Sequence, residues 1–438
     1  MNAPDVVVIG AGSAGCLVAA HLARDRTRRV LLLERGPLAV PEQAITELTT
    51  LPIGPGAERV LRRQETRGRD IVRGTGIGGS SVVNGGYFLR GHLDDYRAWP
   101  WSLDEITAGF EELEPQMRAS PFTDDELGEV ATAFEKYWRA RSPRDVGAPT
   151  GYAKPAQRAR TTPDSSAWPT VGINRVRSNR TGGHRWTVAD AFLRGGASGP
   201  ELRRGVGLAL LGTPGRVTGV LTDGGRIDCG EIVLAAGTLG SGALLAPLLG
   251  PLITHEHPET LVRFAPMGPL RRNPLLQTVL HTDPGIEIRC YSDDFARYVA
   301  GLPASGVCVG VADMTHPTIG TIRPGGNADA VELDLGVPDE NSRARMADAA
   351  AQVVDMLESP EFAHLVRPGT VAVDQSPGMS SHAWGTVPLG THSAQDGSVL
   401  GVTGLRVVDG SVLPGPLRSG PHASVLMTAG RIAQRLVS

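Results

Sequence analysis

The chain has little lysine, cysteine, aromatic residue or surplus charge. Lys136 and Lys154 are its only lysines. The remaining basic residues are arginine, a bias that fits a GC-rich genome and carries no functional message. A net charge of −3 on 438 residues provides no broad field for nucleic acid or an acidic membrane. Cys16, Cys229, Cys290 and Cys308 are scattered and form no C-x-x-C. That excludes a disulfide frame or a cysteine zinc site and fits buried, reduced thiols in the cytoplasm. There is no internal repeat and no low-complexity tract. The triplet His255-Glu256-His257 has no third ligand cluster to complete a metal site, so no metal is expected and the triplet reads as structural. Two apolar runs imitate membrane spans, Asp5 to Ala23 and Ile232 to Thr254. Glycine and proline breaks suit them better to buried strand–turn–helix units. No spanning segment is expected, and peripheral membrane contact stays open.

At this length two domains are expected. Asp5 to Ile9 reads as a buried parallel strand. Gly10-Ala11-Gly12-Ser13-Ala14-Gly15 follows, then a helix rich in Ala and Leu. This order of strand, G-x-G-x-x-G and helix is that of a dinucleotide-binding fingerprint. Gly10 makes the turn, and Gly12 and Ser13 leave helix N–H groups open to a pyrophosphate. Gly15 allows helix and strand to pack. A second strand ends at Glu34, nineteen residues after Gly15. A carboxylate there suits ribose hydroxyls, with Arg35 beside it. The fingerprint alone does not separate NAD from FAD, but its place at the N-terminus favours FAD.

Arg73 to Gly86, RGTGIGGSSVVNGG, holds six glycines in fourteen residues. Continued to Trp99, it resembles the first signature of the glucose–methanol–choline (GMC) oxidoreductase family. It keeps Arg73, Gly74, Gly78, Gly79, Ser80, Ser81, Asn84, Phe88, Arg90, Gly91, Asp95 and Trp99, with Ile77 in place of a common Leu. Further resemblances follow in order: Gly183 to Leu193, Pro200 to Arg226, Glu231 to Gly250, and Gly404 to Gly415 as the second signature. The resemblance implies FAD as cofactor. Arg73, Gly74, Gly79, Ser80, Asn84 and Gly85 would lie along the flavin and pyrophosphate, with Val206, Ala236 and Gly237 near the adenosine half. Asp409 and Gly410 would lie at the pyrophosphate or ribityl chain. Gly85 follows Asn84 where some relatives carry a tethering His, so the FAD is expected to be non-covalent.

SSHAWGTVPLG, Ser380 to Gly390, resembles the family's H-x-x-G-T-C-x-M-G, with Val387 and Leu389 replacing Cys and Met. His382 falls on the catalytic histidine. Alcohol oxidation sends a hydride to flavin N5 while the hydroxyl proton leaves, and a base of near-neutral pKa lowers that barrier. Relatives place a His or Asn partner nine residues after the signature serine. Here that position is Gly420, so His422 is taken as the partner, with cofactor contact as its alternative role. Arg418 beside this loop suits an acidic substrate or acceptor as well as solvent. The amphipathic run Asp124 to Ala140 reads as core packing.

The expected fold is α/β (α+β overall), a Rossmann-like FAD-binding domain interleaved with an antiparallel-sheet substrate domain. The FAD-binding pieces are residues 1–40, 70–110, 185–255 and 400–438. The substrate domain takes 41–69, 111–184 and 256–399, and runs between Leu261 and Leu335 form one sheet roofing the flavin. The expected activity is FAD-dependent oxidation of a CH–OH group, as a dehydrogenase ahead of an oxidase. The Arg-rich composition and the GPHASVLMTAGRIA ending resemble the mycofactocin-associated branch. That implies a reduced, phenol-like redox cofactor (a mycofactocinol) as an alternative to a simple alcohol, with a respiratory electron acceptor. The rival readings are a lyase with idle FAD and a non-catalytic electron relay.

Overall fold

The computed structural model describes residues 3–141, 167–194, 199–325 and 331–437. Part of the expected substrate-domain segment 111–184 therefore lies outside the described residues. Val6–Ile9 and Val30–Glu34 are strands buried at every position. Such near-continuous β-branched and leucine runs are what a sheet covered on both faces requires. They form the centre of a five-stranded parallel sheet in the order 405–407, 231–234, 6–9, 30–34, 201–204. The helix Ser13–Leu22 leaves the first strand and is buried on nearly all sides, with the helix His422–Val437 packed along it. The apolar run after Glu231–Leu234 becomes the helix Gly237–Leu249. Among the described residues no helix is long and apolar enough to cross a membrane.

The second layer is an antiparallel sheet. Its order is 372–373, 258–264, 307–313, 286–294, 276–281, 172–175, with 378–379 also paired to 258–264. Alternation along Ile286–Asp294 sorts its side chains. Ile286, Ile288 and Cys290 join Phe134, Trp138, Met346 and Val353 in an apolar core under the helices Glu129–Arg139 and Glu340–Leu357. Asp339 caps the longer helix by accepting from the Ser342 N–H. Glu287, Arg289 and Tyr291 point to the other face, and they too are buried. A charged face with no access to water must pair internally, and this one does so beneath the candidate site.

The expected single roof is two sheets. Thr318–Pro324 and Val331–Asp334 join Leu252–Glu256 in a separate three-stranded sheet. Alternating patterns identify strands but not their partners.

Candidate active site

The two glycine runs are pressed together. Gly78 N–H bonds the Ala11 carbonyl at 2.9 Å. A Cβ on Gly79 would stand 2.6 Å from the Cα of Gly12, and one on Gly15 would stand 1.9 Å from the Gly10 carbonyl oxygen. Glu34 ties the same parts: its carboxylate accepts N–H bonds from Ala11, Gly36 and Gly76, each 2.8 Å long. Crowding within this loop is therefore protein against protein. Gly12 and Gly237 differ, because a Cβ at either would meet nothing within 4 Å. Both stand at the start of a helix, at the C-terminal ends of the central strands.

The other residues expected on the cofactor side make contacts among themselves. Ser13 Oγ and His422 Nε2 are 3.1 Å apart, and Asn84 Nδ2 lies 3.4 Å from His422 Nδ1. Asn84 also accepts the Gly86 N–H, and Ser80 Oγ accepts the Gly74 N–H. Near Gly85 only Leu275 approaches the space a Cβ would take. Asp409 is buried, accepts from Ser241 Oγ and the Ser411 N–H, and is held above the usual carboxylate range by desolvation. Ser241 Oγ in turn accepts the Ala236 N–H. Gly410 packs on Thr238. The Arg35 carbonyl accepts from Arg204. Val206 does not offer a free main chain: its N–H goes to the Asp223 carboxylate and its carbonyl to the Asp223 N–H.

His382 is aimed by its own backbone. Ser381, just before it, holds φ +64°, a left-handed conformation uncommon for a residue with a side chain. This turn brings the His382 and Ala383 N–H groups onto buried Glu256, at 2.6 and 3.0 Å. Glu256 also accepts the His257 N–H, and Arg73 Nη2 lies 3.6 Å away. Arg73 Nη2 is buried without a hydrogen-bond partner, so it has a donor to spare.

The imidazole that His382 meets is His257, with Nδ1 to Nδ1 at 3.0 Å. His422 bonds Ser13 and Asn84, and the ring in contact with His382 Nδ1 is His257. Gly420 packs closely against His382 and Tyr87. A Cβ there would lie 3.4 Å from His382 Nε2 and 3.2 Å from the Tyr87 ring. His257 also packs on Trp384, with ring centroids 4.4 Å apart.

Beneath this pair lies the charged face of the antiparallel sheet. Arg289 bonds Glu287 at 2.6 Å and Glu259 at 2.9 Å. Glu287 also accepts from Tyr87 Oη at 2.6 Å and meets His281 Nε2 at 2.8 Å, and His281 meets His92 at 2.7 Å. Room for Glu259 comes from Gly310, where a Cβ would fall 2.0 Å from Glu259 Oε1. Desolvation and then Arg289 hold His382 well below its ordinary pKa, and the same two causes push His257 down to about 3. Burial lowers His422 to about 4. Arg289 and His281 outweigh desolvation at Glu287 and keep it ionised well below the carboxylate range. Arg418 is bound to Asp95 rather than directed to a ligand.

Sequence reasoning missed His257, Glu256, Tyr87, Glu287 and Arg289. The His-Glu-His triplet was the available signal, but its meaning depends on a loop more than 120 residues later. Among the described residues no cluster could hold a metal.

The family model described as GMC oxidoreductase matches residues 4–247 with its N-terminal part and residues 321–429 with its C-terminal part. An uncharacterized GMC-type oxidoreductase of Rhodococcus erythropolis is 28% identical, covering 99% of this chain and 98% of that protein. Pyridoxine 4-oxidase of Microbacterium luteolum is 26% identical, covering 96% and 97%. The crystal structure of pyridoxine 4-oxidase from Mesorbium loti superposes with a TM-score of 0.77 at 22% identity, covering 99% of both chains.

Proposed function

The chain belongs to the GMC oxidoreductase family, whose members are FAD-binding flavoproteins, and on that premise we propose that it oxidises the CH–OH group of a small-molecule alcohol with His382 as base. One observation carries this reading. His382 is half-buried, its Nδ1 is engaged by His257, and its Nε2 lies beside Gly420.

The residues present fit FAD. Two helix starts, at Gly12 and Gly237, face open space where a side chain would meet nothing. Free N–H groups at such ends suit a pyrophosphate. Arg73 Nη2 adds an unused donor. Gly12, Ser13, Asn84, Gly237, Asp409 and His422 would hold the cofactor, and Gly85 after Asn84 supports non-covalent binding. When bound, FAD supplies the hydride acceptor. The chain's own task is to hold the alcohol's hydroxyl within hydrogen-bond reach of His382 and take its proton there. Such base catalysis is worth roughly 10²–10⁴-fold.

The donor class is tested by anaerobic mixing of the holoprotein with pyridoxine, choline, primary alcohols and a reduced phenol-like cofactor, following loss of flavin absorbance. Oxygen or a quinone added afterwards distinguishes oxidase from dehydrogenase. A lyase would turn over with the flavin still oxidised. His382→Ala should slow reduction by at least roughly 10²-fold, and an unchanged rate would favour an electron relay. The peptide-derived cofactor reading is supported by composition and the C-terminal ending alone.

A further inference from the structure

We propose that His422 is a positioning residue for the cofactor: it turns the Ser13 hydroxyl so that its hydrogen goes to the FAD diphosphate at the open helix start beside Gly12. The inference rests on the reading that this crevice takes FAD, and it adds what sets the direction of one of its hydrogen bonds.

A main-chain amide sets the first bond. The Gly86 N–H can only donate, and it donates to Asn84 Oδ1 at 2.9 Å. That contact fixes the Asn84 side chain with its oxygen towards Gly86. Its NH₂ group then faces His422 Nδ1, 3.4 Å away. An amide nitrogen donates and does not accept, so Nδ1 is the bare nitrogen of the ring. Burial keeps the ring neutral, and a neutral imidazole with a bare Nδ1 carries its proton on Nε2. Nε2 lies 3.1 Å from Ser13 Oγ, which therefore accepts. The hydrogen of Ser13 itself is left for another partner, and among the described residues its hydroxyl bonds no other group.

One neighbour favours the opposite order. The Tyr87 carbonyl lies near the ring and stabilises a proton on it. Were that proton on Nδ1, it would face the N–H bonds of Asn84. Ser13 would then donate to Nε2 and turn a lone pair towards any anion. The bonds from Gly86 and Asn84 select against that order.

Ser13 is the first residue of the helix Ser13–Leu22, so its backbone N–H has no partner within the helix. A Cβ on Gly12 would meet nothing within 4 Å, so the space before that helix is open. A phosphate oxygen there would receive an N–H and an O–H from one residue, and hydrogen bonds to a charged acceptor are the strong kind. His422 stands on a third element, the helix His422–Val437, and its ring is set edge-on to Phe88 with centroids 5.4 Å apart. One ring thus ties the second glycine run, through Asn84, to the first, through Ser13. Each bond in such a series polarises the next.

The test measures FAD affinity by titration of the apoprotein, with no alcohol present. Ser13→Ala should weaken binding roughly 10- to 100-fold, the usual strength of one hydrogen bond to a charged group. His422→Phe keeps the bulk of the ring beside Phe88 but removes both nitrogens, and should weaken binding by the same order. The double variant should be weaker than the worse single variant by no more than roughly threefold, because His422 acts through Ser13. His422→Gln offers one donor and one acceptor and should recover to within roughly tenfold of the wild type. In the holoprotein labelled with ¹⁵N-histidine, long-range ¹H–¹⁵N correlation near neutral pH should place the His422 proton on Nε2, with His422→Gln assigning the signal. A proton on Nδ1 would overturn the proposal. So would unchanged affinity in His422→Phe, losses that multiply in the double variant, or a Gln variant no better than Phe. Should the Phe variant fail to fold, the spectrum and the Gln variant decide alone. A Ser13→Ala protein of normal FAD affinity would overturn the proposal together with the placement of the diphosphate it rests on.

Discussion

The Cα of Gly12 occupies the place a side chain on Gly79 would need, 2.6 Å from its Cβ position. These residues come from different glycine runs, so each run is the other's packing partner. Gly79→Ala adds a methyl group to a closed contact at φ +52°. Overpacking of this kind costs about 1–3 kcal/mol. Denaturant unfolding should show that loss, together with low flavin content. Gly12→Ala is the contrast, since its Cβ meets no protein atom within 4 Å. It should leave apoprotein stability within about 0.5 kcal/mol of wild type while weakening FAD uptake in a titration. Equal effects on stability from the two changes would contradict this division of roles.

Arg185 holds the end of the glycine loop. Its guanidinium donates to the carbonyls of Asn84, Glu47 and Thr50, each at 2.5 Å, and burial pushes its pKa down to about 9. Among the described residues no carboxylate pairs with it, and the charge is held by carbonyl dipoles. Arg185→Leu strands three part-buried carbonyls and should cost on the order of 1–3 kcal/mol. A midpoint shift in urea unfolding, with the slope unchanged, is the expected readout.

Acid should weaken the fold before the carboxylates titrate. The His257 pKa falls from 6.5 to about 3 in the fold. Between those values the unfolded chain binds a proton that the native chain does not, so stability rises with pH there and is lost on acidification. The slope is about 1.4 kcal/mol per pH unit for one such histidine. His382 and His422 are lowered as well, so unfolding free energies of the holoprotein at pH 7 and pH 5 should differ by more than one histidine's share, and His257→Gln should reduce the slope by that single share. Constant stability across that window would show that the ring is not buried neutral.

The contact at Gly420 is close enough to test by one methyl group. Gly420→Ala would place that group 3.2 Å from the Tyr87 ring and 3.4 Å from His382 Nε2. The His382 ring would have to give way, and a misplaced base costs on the order of 10²-fold in rate. Flavin reduction by any active donor should slow by that order. An unaltered rate would mean that the position of the His382 ring does not limit the reaction.

Local chemistry was readable without coordinates. Gly10, Gly12 and Gly15 announced a turn, an open helix end and a close packing contact, because each need is met within a few residues of the glycine itself. Val6–Ile9 and Val30–Glu34 announced a covered parallel sheet through unbroken apolar runs. The strand Thr318–Pro324 was equally visible, yet its sheet was not, because its partner Leu252–Glu256 lies more than 60 residues earlier.

The sequence by itself determined the family and the two sets of small residues at its turns and helix starts, and it set His382 in a motif that resembles that of the family's catalytic histidine. The tertiary structure alone decided which imidazole meets His382. His422 was nearer in the chain, but the start of its helix carries it to Ser13 and Asn84. His257 was 125 positions away, and it meets His382 because Glu256 binds both backbones. Side chains that act as partners are brought together by strand pairing and buried charge, and neither is written in local spacing.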